Sequence, residues 1–217
     1  MSEISASPRE QFAFNAGRLC LDFANTVRSR PSSDRLDLIG AYEDLLSWAR
    51  QATILTPEEA AALTDAARHG ARAAGEALTQ ARALRESMYA VFSARAAGLP
   101  APAADLQTLN QAIARAMAQS GLTVAGARFE WGWPDSAPGL DRVSWWVARS
   151  AAELLTSPDL TFVRECASYD CGWLFIDTTK NRSRRWCDMR VCGNRAKSRR
   201  HYERRRAAGT SRRPADS

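Results

Sequence analysis

The sequence lacks the features of a membrane protein and of the common enzyme classes. No apolar run approaches the roughly 20 residues that a transmembrane helix needs. A phosphate-binding loop, an H-E-x-x-H zinc motif and a nucleophile paired with a base are also missing, and the chain has two histidines in 217 residues. We therefore expect a protein that neither spans a membrane nor catalyses a reaction.

The first residues also lack the pattern of a secretory signal, in which a charged stretch precedes an apolar core and a small-residue cleavage site. The five cysteines are therefore expected in a reducing compartment, where disulfides are rare. We predict a cytoplasmic protein. With 45% hydrophobic residues, the chain is long enough to bury one ordinary core and to carry a small appended module.

Four of the five cysteines form two copies of the spacing Cys-x4-Cys-Gly. This repetition is typical of two turns that bind one metal ion, because four thiolates complete a tetrahedral zinc site. A glycine after each pair could adopt the positive φ that turns backbone N–H groups toward the sulfur atoms. Disulfides and unligated thiols are the less favoured alternatives, and a catalytic zinc would lack an open position for water. The predicted ligands of one structural zinc ion are Cys166, Cys171, Cys187 and Cys192.

The residues around the two pairs predict the fold of the zinc-binding unit. Trp173–Asp177 is aromatic and β-branched and should form a strand, with Arg184–Trp186 as the returning strand. Asn194 would cap a helix from Arg195 to about Arg206. Knuckle, hairpin, knuckle and helix is the order of a treble-clef-like zinc finger with four cysteine ligands. Because so small a unit has little core, the metal should supply most of its folding free energy, on the order of 10 kcal/mol.

Positive charge is concentrated at the C-terminal end. Residues 180–217 contain fourteen Lys and Arg against three Asp and Glu, or +11; since the whole chain is +6, residues 1–179 are near −5. Arginine predominates in the polar segment 195–206, and its planar fork suits phosphate groups and guanine edges. We predict a helix that binds nucleic acid, DNA in preference to RNA; the alternative is a solvated tail. The predicted contact residues are Arg195, Lys197, Arg199, Arg200 and Arg204.

Two segments resemble a known family. Residues 184–197 read Arg-Arg-Trp-Cys-Asp-Met-Arg-Val-Cys-Gly-Asn-Arg-Ala-Lys, which is similar to the signature of the CGNR zinc-finger family of bacterial proteins. In that family the finger follows an ABATE domain, and residues 17–26, Gly-Arg-Leu-Cys-Leu-Asp-Phe-Ala-Asn-Thr, resemble its opening Leu-Asp-Phe-x-Asn-Thr element. The resemblance implies a stress-induced transcription regulator.

The N-terminal part of the chain is predicted to be a mainly helical domain with a small β-hairpin, which makes the protein α+β. Thr56, Pro57 and Glu59 combine an N-cap, a proline at the first helical position and a capping-box glutamate, a strong helix start. The following alanine-rich run should give two helices, or one broken between Gly70 and Gly75. Further amphipathic helices are expected near residues 38–49, 105–119 and 142–156.

Residues 122–133 predict the hairpin of this domain. Phe129, Trp131 and Trp133 recur at period two, so they project to one side, and we expect them in the core rather than as a platform for stacked bases. Arg85 and Glu86 could reach a pocket, but we expect them at a solvated edge.

Polar residues interrupt the first predicted helix, on which Leu19, Phe23 and Val27 share an apolar face. Buried Asp22 and Asn25 would ordinarily bind backbone groups of nearby turns. A ligand pocket is the alternative, because polar side chains that converge among apolar ones also orient small molecules. The candidate pocket residues are Arg18, Asp22 and Asn25.

The predicted organisation is a helical domain over residues 1–160, a finger with its basic helix over 161–208 and a disordered tail over 209–217. Little room for a linker separates Pro158 from Cys166, so the finger should be held against the helical domain. We predict a zinc-dependent DNA-binding regulator whose helical domain senses a small molecule or a protein effector. The alternative is a ligand-binding or oligomerisation module with a purely structural finger; the oligomeric state, the DNA sequence recognised and the direction of regulation stay open.

Overall fold

The computed structural model describes residues 12–133 and 139–210, with side chains up to residue 205. Helices dominate the part before the cysteines, as the sequence predicts, and among the described residues no helix is long and apolar enough to span a membrane. The helices of this domain are α1 (Leu19–Ala24), α2 (Tyr42–Gln51), α3 (Pro57–His69), α4 (Ala71–Ala96), α5 (Ala103–Gln119) and α6 (Arg142–Leu155).

The predicted start of α3 is confirmed. The Thr56 hydroxyl accepts a hydrogen bond from the Glu59 backbone N–H at 3.2 Å, and the Thr56 backbone N–H donates to the Glu59 carboxylate at 2.8 Å. Each side chain accepts a hydrogen bond from the backbone N–H of the other residue. Fewer N–H groups in the first turn are therefore left without a partner. The chain breaks at Gly70, whereas Gly75 lies within the continuous α4.

The core of the domain is built around the short helix α1. Leu21 and Phe23 are fully buried, and the Phe23 ring lies 4.8 Å from that of Trp48 on α2. Helices α4 and α6 pack against α1, and α5 packs in turn on both of them. Two buried aromatic rings and their apolar neighbours therefore give this domain an ordinary hydrophobic core.

A small hairpin joins α1 to α2 and places an ion pair inside the domain. Its strands are β1 (Val27–Arg28) and β2 (Leu36–Asp37). Arg85 is 1% exposed, which corrects the solvated edge predicted for it, and its guanidinium donates to both Asp37 carboxylate oxygens at 2.7 Å. Burial raises the pKa of Asp37, but the hydrogen bonds and the charge of Arg85 outweigh burial, so this pKa is lowered.

The predicted aromatic hairpin exists, but its aromatic row is not in the core. Its strands are β3 (Gly121–Ala125) and β4 (Arg128–Gly132). Only Trp133 of the row is buried, at 4% exposure, while Phe129 is 73% and Trp131 49% exposed. The prediction for Phe129 and Trp131 was wrong because period two identifies a common face and does not reveal whether anything covers it.

The finger differs from the prediction in its strand pairing. Strand β6 (Leu174–Ile176) pairs antiparallel with β5 (Val163–Glu165), so the first cysteine pair lies inside the hairpin. Residues 184–186, the predicted returning strand, have no regular structure. A π-helical turn (Met189–Gly193) leads into α7 (Asn194–Thr210). Residues 209 and 210 of the predicted tail are thus helical, and the rest of it lies outside the described residues. A four-cysteine finger after a helical domain is nevertheless the predicted class.

Candidate metal centre and basic helix

The four predicted zinc ligands come together in one buried cluster. The sulfur atoms of Cys166, Cys171, Cys187 and Cys192 all lie within 4.8 Å of one another. Two of the separations, Cys171 to Cys187 and Cys187 to Cys192, are 3.6 Å. A tetrahedral zinc with bonds of about 2.3 Å requires sulfur atoms about 3.8 Å apart, so this donor set fits one zinc ion.

Backbone geometry supports a thiolate cluster, and the two glycines have different roles in it. Gly172 has φ +69°, and the following Trp173 N–H hydrogen-bonds Cys171 Sγ, as the sequence predicts. Gly193 has no positive φ; it is buried in the π-helical turn, where a Cβ would collide with Met189 Sδ. The first glycine is therefore needed for its conformation, whereas a side chain at the second would displace the flexible side chain of Met189.

The electrostatics of the cluster favour a bound dication. Hydrogen bonds from the thiols of Cys171 and Cys187 lower the pKa of Cys166, and the hydrogen bond to Cys166 raises the pKa of Cys171 and of Cys187. Four thiolates so close together repel one another unless a cation compensates them. The cluster can hold one zinc ion, and with four sulfur ligands the ion would be structural, since no coordination position is left for water.

The second knuckle also starts the basic helix. Asp188, not Asn194, is the capping residue, and it caps the π-helical turn that leads into α7: the Asp188 carboxylate accepts hydrogen bonds from the N–H groups of Arg190 and Val191 at 2.6 and 3.0 Å. Asn194 is already helical, and its side chain donates to the Arg190 carbonyl at 2.9 Å. The start of α7 is therefore fixed by the segment that carries Cys187 and Cys192.

The structure divides the five predicted nucleic-acid contacts between two sides of α7. Arg195 forms an ion pair with Asp170, and Arg199 lies with its guanidinium 4.2 Å from the centre of the Tyr169 ring. Asp170 and Tyr169 belong to the first knuckle, so these two arginines hold the helix against it.

Lys197, Arg200 and Arg204 lie on the other side of α7. At 100° per residue they fall within about 60° of one another and about 100° to 180° from Arg195 and Arg199. Arg200 is the nearest of them to the first knuckle, since it lines a cavity with Arg199 and Tyr169. All three are exposed, and no carboxylate within the described part of the chain forms an ion pair with them. Arg200 is satisfied in part by its own helix, through a 3.5 Å hydrogen bond to the Ala196 carbonyl.

The finger packs directly on the helical domain, as its short join predicts. The Asn25 side chain donates to the Leu174 carbonyl at 2.8 Å and accepts from the Leu174 N–H at 2.9 Å, so it pairs with β6 like a neighbouring strand. The Trp173 indole N–H donates to the Val27 carbonyl at 2.9 Å. We call these contacts the seam. Asn25 is 3% exposed, so water does not reach this site readily. Its amide supplies the hydrogen bonds that the N–H and C=O groups of Leu174 would otherwise lack.

The three candidate ligand-pocket residues do not converge on a common space. Asn25 is engaged in the seam, and the Asp22 carboxylate accepts a hydrogen bond from the Ala16 N–H at 2.9 Å. Arg18 is turned to the surface, where it pairs with Asp159 at 2.5 Å. These contacts favour the structural alternative. A cavity of about 840 Å³ lies elsewhere, against the α2–α3 loop and Trp146.

Sequence reasoning missed the residues that position the basic helix. Tyr169 and Asp170 look like ordinary knuckle residues, and nothing in their spacing reveals that they contact α7. Asp188 could have been found, because aspartate is a favoured helix cap.

Family models match the chain in two consecutive segments. The ABATE model, described as "Putative stress-induced transcription regulator", matches residues 17–158. The CGNR zinc-finger model matches residues 163–205, which include all four clustered cysteines. A search of curated proteins found no significant match. Because the first model covers more than half of the sequence, the chain belongs to the ABATE family, with a CGNR zinc finger after the ABATE domain.

Proposed function

We propose that this protein is a cytoplasmic transcription regulator that binds duplex DNA through the outward side of α7, which carries Lys197, Arg200 and Arg204. The observation that carries the proposal is the exposure of these cations on a helix that the metal-binding knuckles hold at its N-terminal end. A helix without an apolar stripe buries little, so α7 is not explained by packing. Cations without carboxylate partners are suited to phosphate oxygens.

Arg195 and Arg199 have a different role in this proposal. Their contacts with Asp170 and Tyr169 set the direction in which α7 leaves the finger. They reach DNA only at the edge of the contact, as additional phosphate ligands. The family description supports regulation in response to stress, and the effector that the helical domain would sense is left to experiment.

We also propose that the protein is not an enzyme. Cys20, the cysteine outside the cluster, is fully buried, and burial raises its pKa to about 12, so its thiol is unreactive at neutral pH. Asp22 and Asn25 are occupied by backbone groups.

Titration of zinc-loaded protein with labelled genomic fragments, at several salt concentrations, tests the proposal. If about six phosphates are neutralised, the observed association constant should fall with salt at a log–log slope near −5. The triple variant Lys197→Gln, Arg200→Gln, Arg204→Gln should bind about 100-fold more weakly at low salt, with a slope shallower by about 3.

A matched control removes three exposed arginines from the helical domain, Arg68→Gln, Arg95→Gln and Arg115→Gln, with the same change in net charge. It should bind almost as tightly as the wild type. Equal losses in both triple variants would mean that only the total charge matters. Absence of binding by zinc-loaded protein would instead favour a purely structural finger.

A further inference from the structure

The hairpin β3–β4 carries an exposed apolar face, and the Arg149 guanidinium of α6 lies 5.9 Å from the centre of the Trp131 ring at its edge. Leu122 pairs with Trp131 and Val124 with Phe129, so these four side chains share one face of the hairpin. They are 63%, 49%, 74% and 73% exposed in that order. Soluble monomers scatter such residues singly and seldom group them, so a grouped set calls for a partner.

The hairpin projects from the helical domain and is anchored at its base. Trp133, which follows β4, is buried and packs its ring 4.2 Å from that of Trp146 on α6. Beyond this anchor both faces are accessible, and the reverse face carries small or polar residues such as Thr123 and Glu130. Two-stranded hairpins are marginally stable in water by themselves. A partner that packs on the apolar face would therefore stabilise this hairpin.

We propose that the apolar face of β3–β4 is a dimer interface and that its occupant is the same face of a second copy of this chain. A two-fold interface places a patch against itself, which is unfavourable where the patch is charged. The four residues of this patch are all uncharged, and the charge of Arg149 beside Trp131 is paired with Glu153 at 2.8 Å. The basic helix α7, by contrast, would repel its own copy.

The area of the patch suits this occupant. The four side chains expose roughly 500 Å² of mostly apolar surface, estimated from their exposed fractions and the usual area of large side chains. A standard interface buries about 800 Å² per partner. Met117, 49% exposed near the end of α5 and four residues before β3, is placed to contribute to the remainder. Two such patches would together bury about 1,000 Å², which is the lower end of the range for specific interfaces.

Sedimentation velocity on the zinc-loaded full chain tests the inference across a concentration series. We expect the wild type to reach twice its 23.9 kDa chain mass as concentration rises. The variants Val124→Lys and Phe129→Lys should each raise the dimer dissociation constant at least about tenfold, since each places a charge in the middle of the interface. Both side chains are largely exposed, so circular dichroism should remain unchanged.

Thr123→Lys on the reverse face is the matched control and should leave the dimer intact. A wild type that stays monomeric at the highest concentration overturns the inference, as does a dimer that survives both face variants. A monomer that dimerises only after residues 1–11 are removed would identify that segment as the cover instead, which also overturns it. None of these outcomes depends on DNA binding.

Discussion

The helical domain and the finger are stabilised in different ways. The domain buries large side chains, among them Phe23, Trp48 and Phe92, in a core shared by several helices. The finger has two strands of three residues each, a cluster of cysteines and a helix whose described side chains are nearly all exposed. Hydrophobic burial can therefore account for the stability of the helical domain. The finger, by contrast, needs a bound metal and its contact with the helical domain to stay folded.

Removing one metal ligand should have the largest effect, because it tests directly whether the finger depends on its metal. Cys187→Ser should lower bound zinc from one per chain to near zero and abolish metal-dependent folding free energy on the order of 10 kcal/mol. Helix α7 spans 17 residues, and so short and highly charged a helix should lose its structure without the knuckles. Zinc analysis together with far-UV circular dichroism measures both effects.

Cys20→Ser is the matched control, because Cys20 lies outside the cluster. It should destabilise the helical domain while the protein still binds one zinc. If the Cys187→Ser protein keeps α7 folded without metal, the finger does not depend on the ion.

A smaller effect is expected at the seam, where the two regions meet. Asn25→Asp replaces the amide donor to the Leu174 carbonyl with an oxygen and places a charge in a buried site. We expect a loss of about 3 kcal/mol in the free energy of unfolding and a weaker zinc affinity, because β6 loses its partner. Urea denaturation and chelator competition measure the two quantities.

The exposed Asn110 of α5 supplies the control, since Asn110→Asp makes the same chemical change away from the seam. Its free energy of unfolding should change by less than about 0.5 kcal/mol. A loss of stability without any loss of zinc affinity in Asn25→Asp would show that the finger holds its metal independently of the domain.

The smallest effect is expected inside the helical domain and should be a gain. Burial raises the pKa of Asp22 to about 6. At neutral pH the ionised carboxylate therefore lowers the stability of the folded domain. Asp22→Asn keeps an oxygen for the Ala16 N–H and removes the charge. At pH 7.5 the variant should be more stable by about 2 kcal/mol, as measured by thermal or urea unfolding.

The sign of this effect depends on pH. Because the folded pKa lies above the unfolded one, the stability of the wild type falls as pH rises from about 4 to about 6 and is then constant with respect to this group. The advantage of Asp22→Asn should therefore shrink below pH 6 and vanish near pH 4. Asp34→Asn, at an exposed position, is the control and should change the free energy of unfolding by less than about 0.5 kcal/mol.

The sequence predicts the structure best where a short local motif has one main structural explanation. The spacing of the four cysteines predicts the cluster, and Thr56 with Glu59 predicts the start of α3, since both signals are local. Longer-range relations could not be predicted in this way. Arg85 was expected in solvent because its partner, Asp37, lies far away in sequence on a strand of two residues.

The remaining errors have the same origin. Periodicity groups Phe129 with Trp131 but cannot show that the hairpin projects from the domain. Arg184–Trp186 was predicted as the partner of β6 because β5 has only three residues and shows little pattern of its own. The Asn25 side chain, which also holds β6, lies far away in sequence.

The seam also links the position of the basic helix to the helical domain. Helix α7 is about 25 Å long at 1.5 Å per residue, and it leaves the finger from one fixed end. A tilt of about 5° where the finger rests on the domain would sweep the far tip through roughly 2 Å, enough to separate a hydrogen-bonded pair. A small shift of Asn25 would therefore become a larger displacement of the basic side chains at the far end of α7.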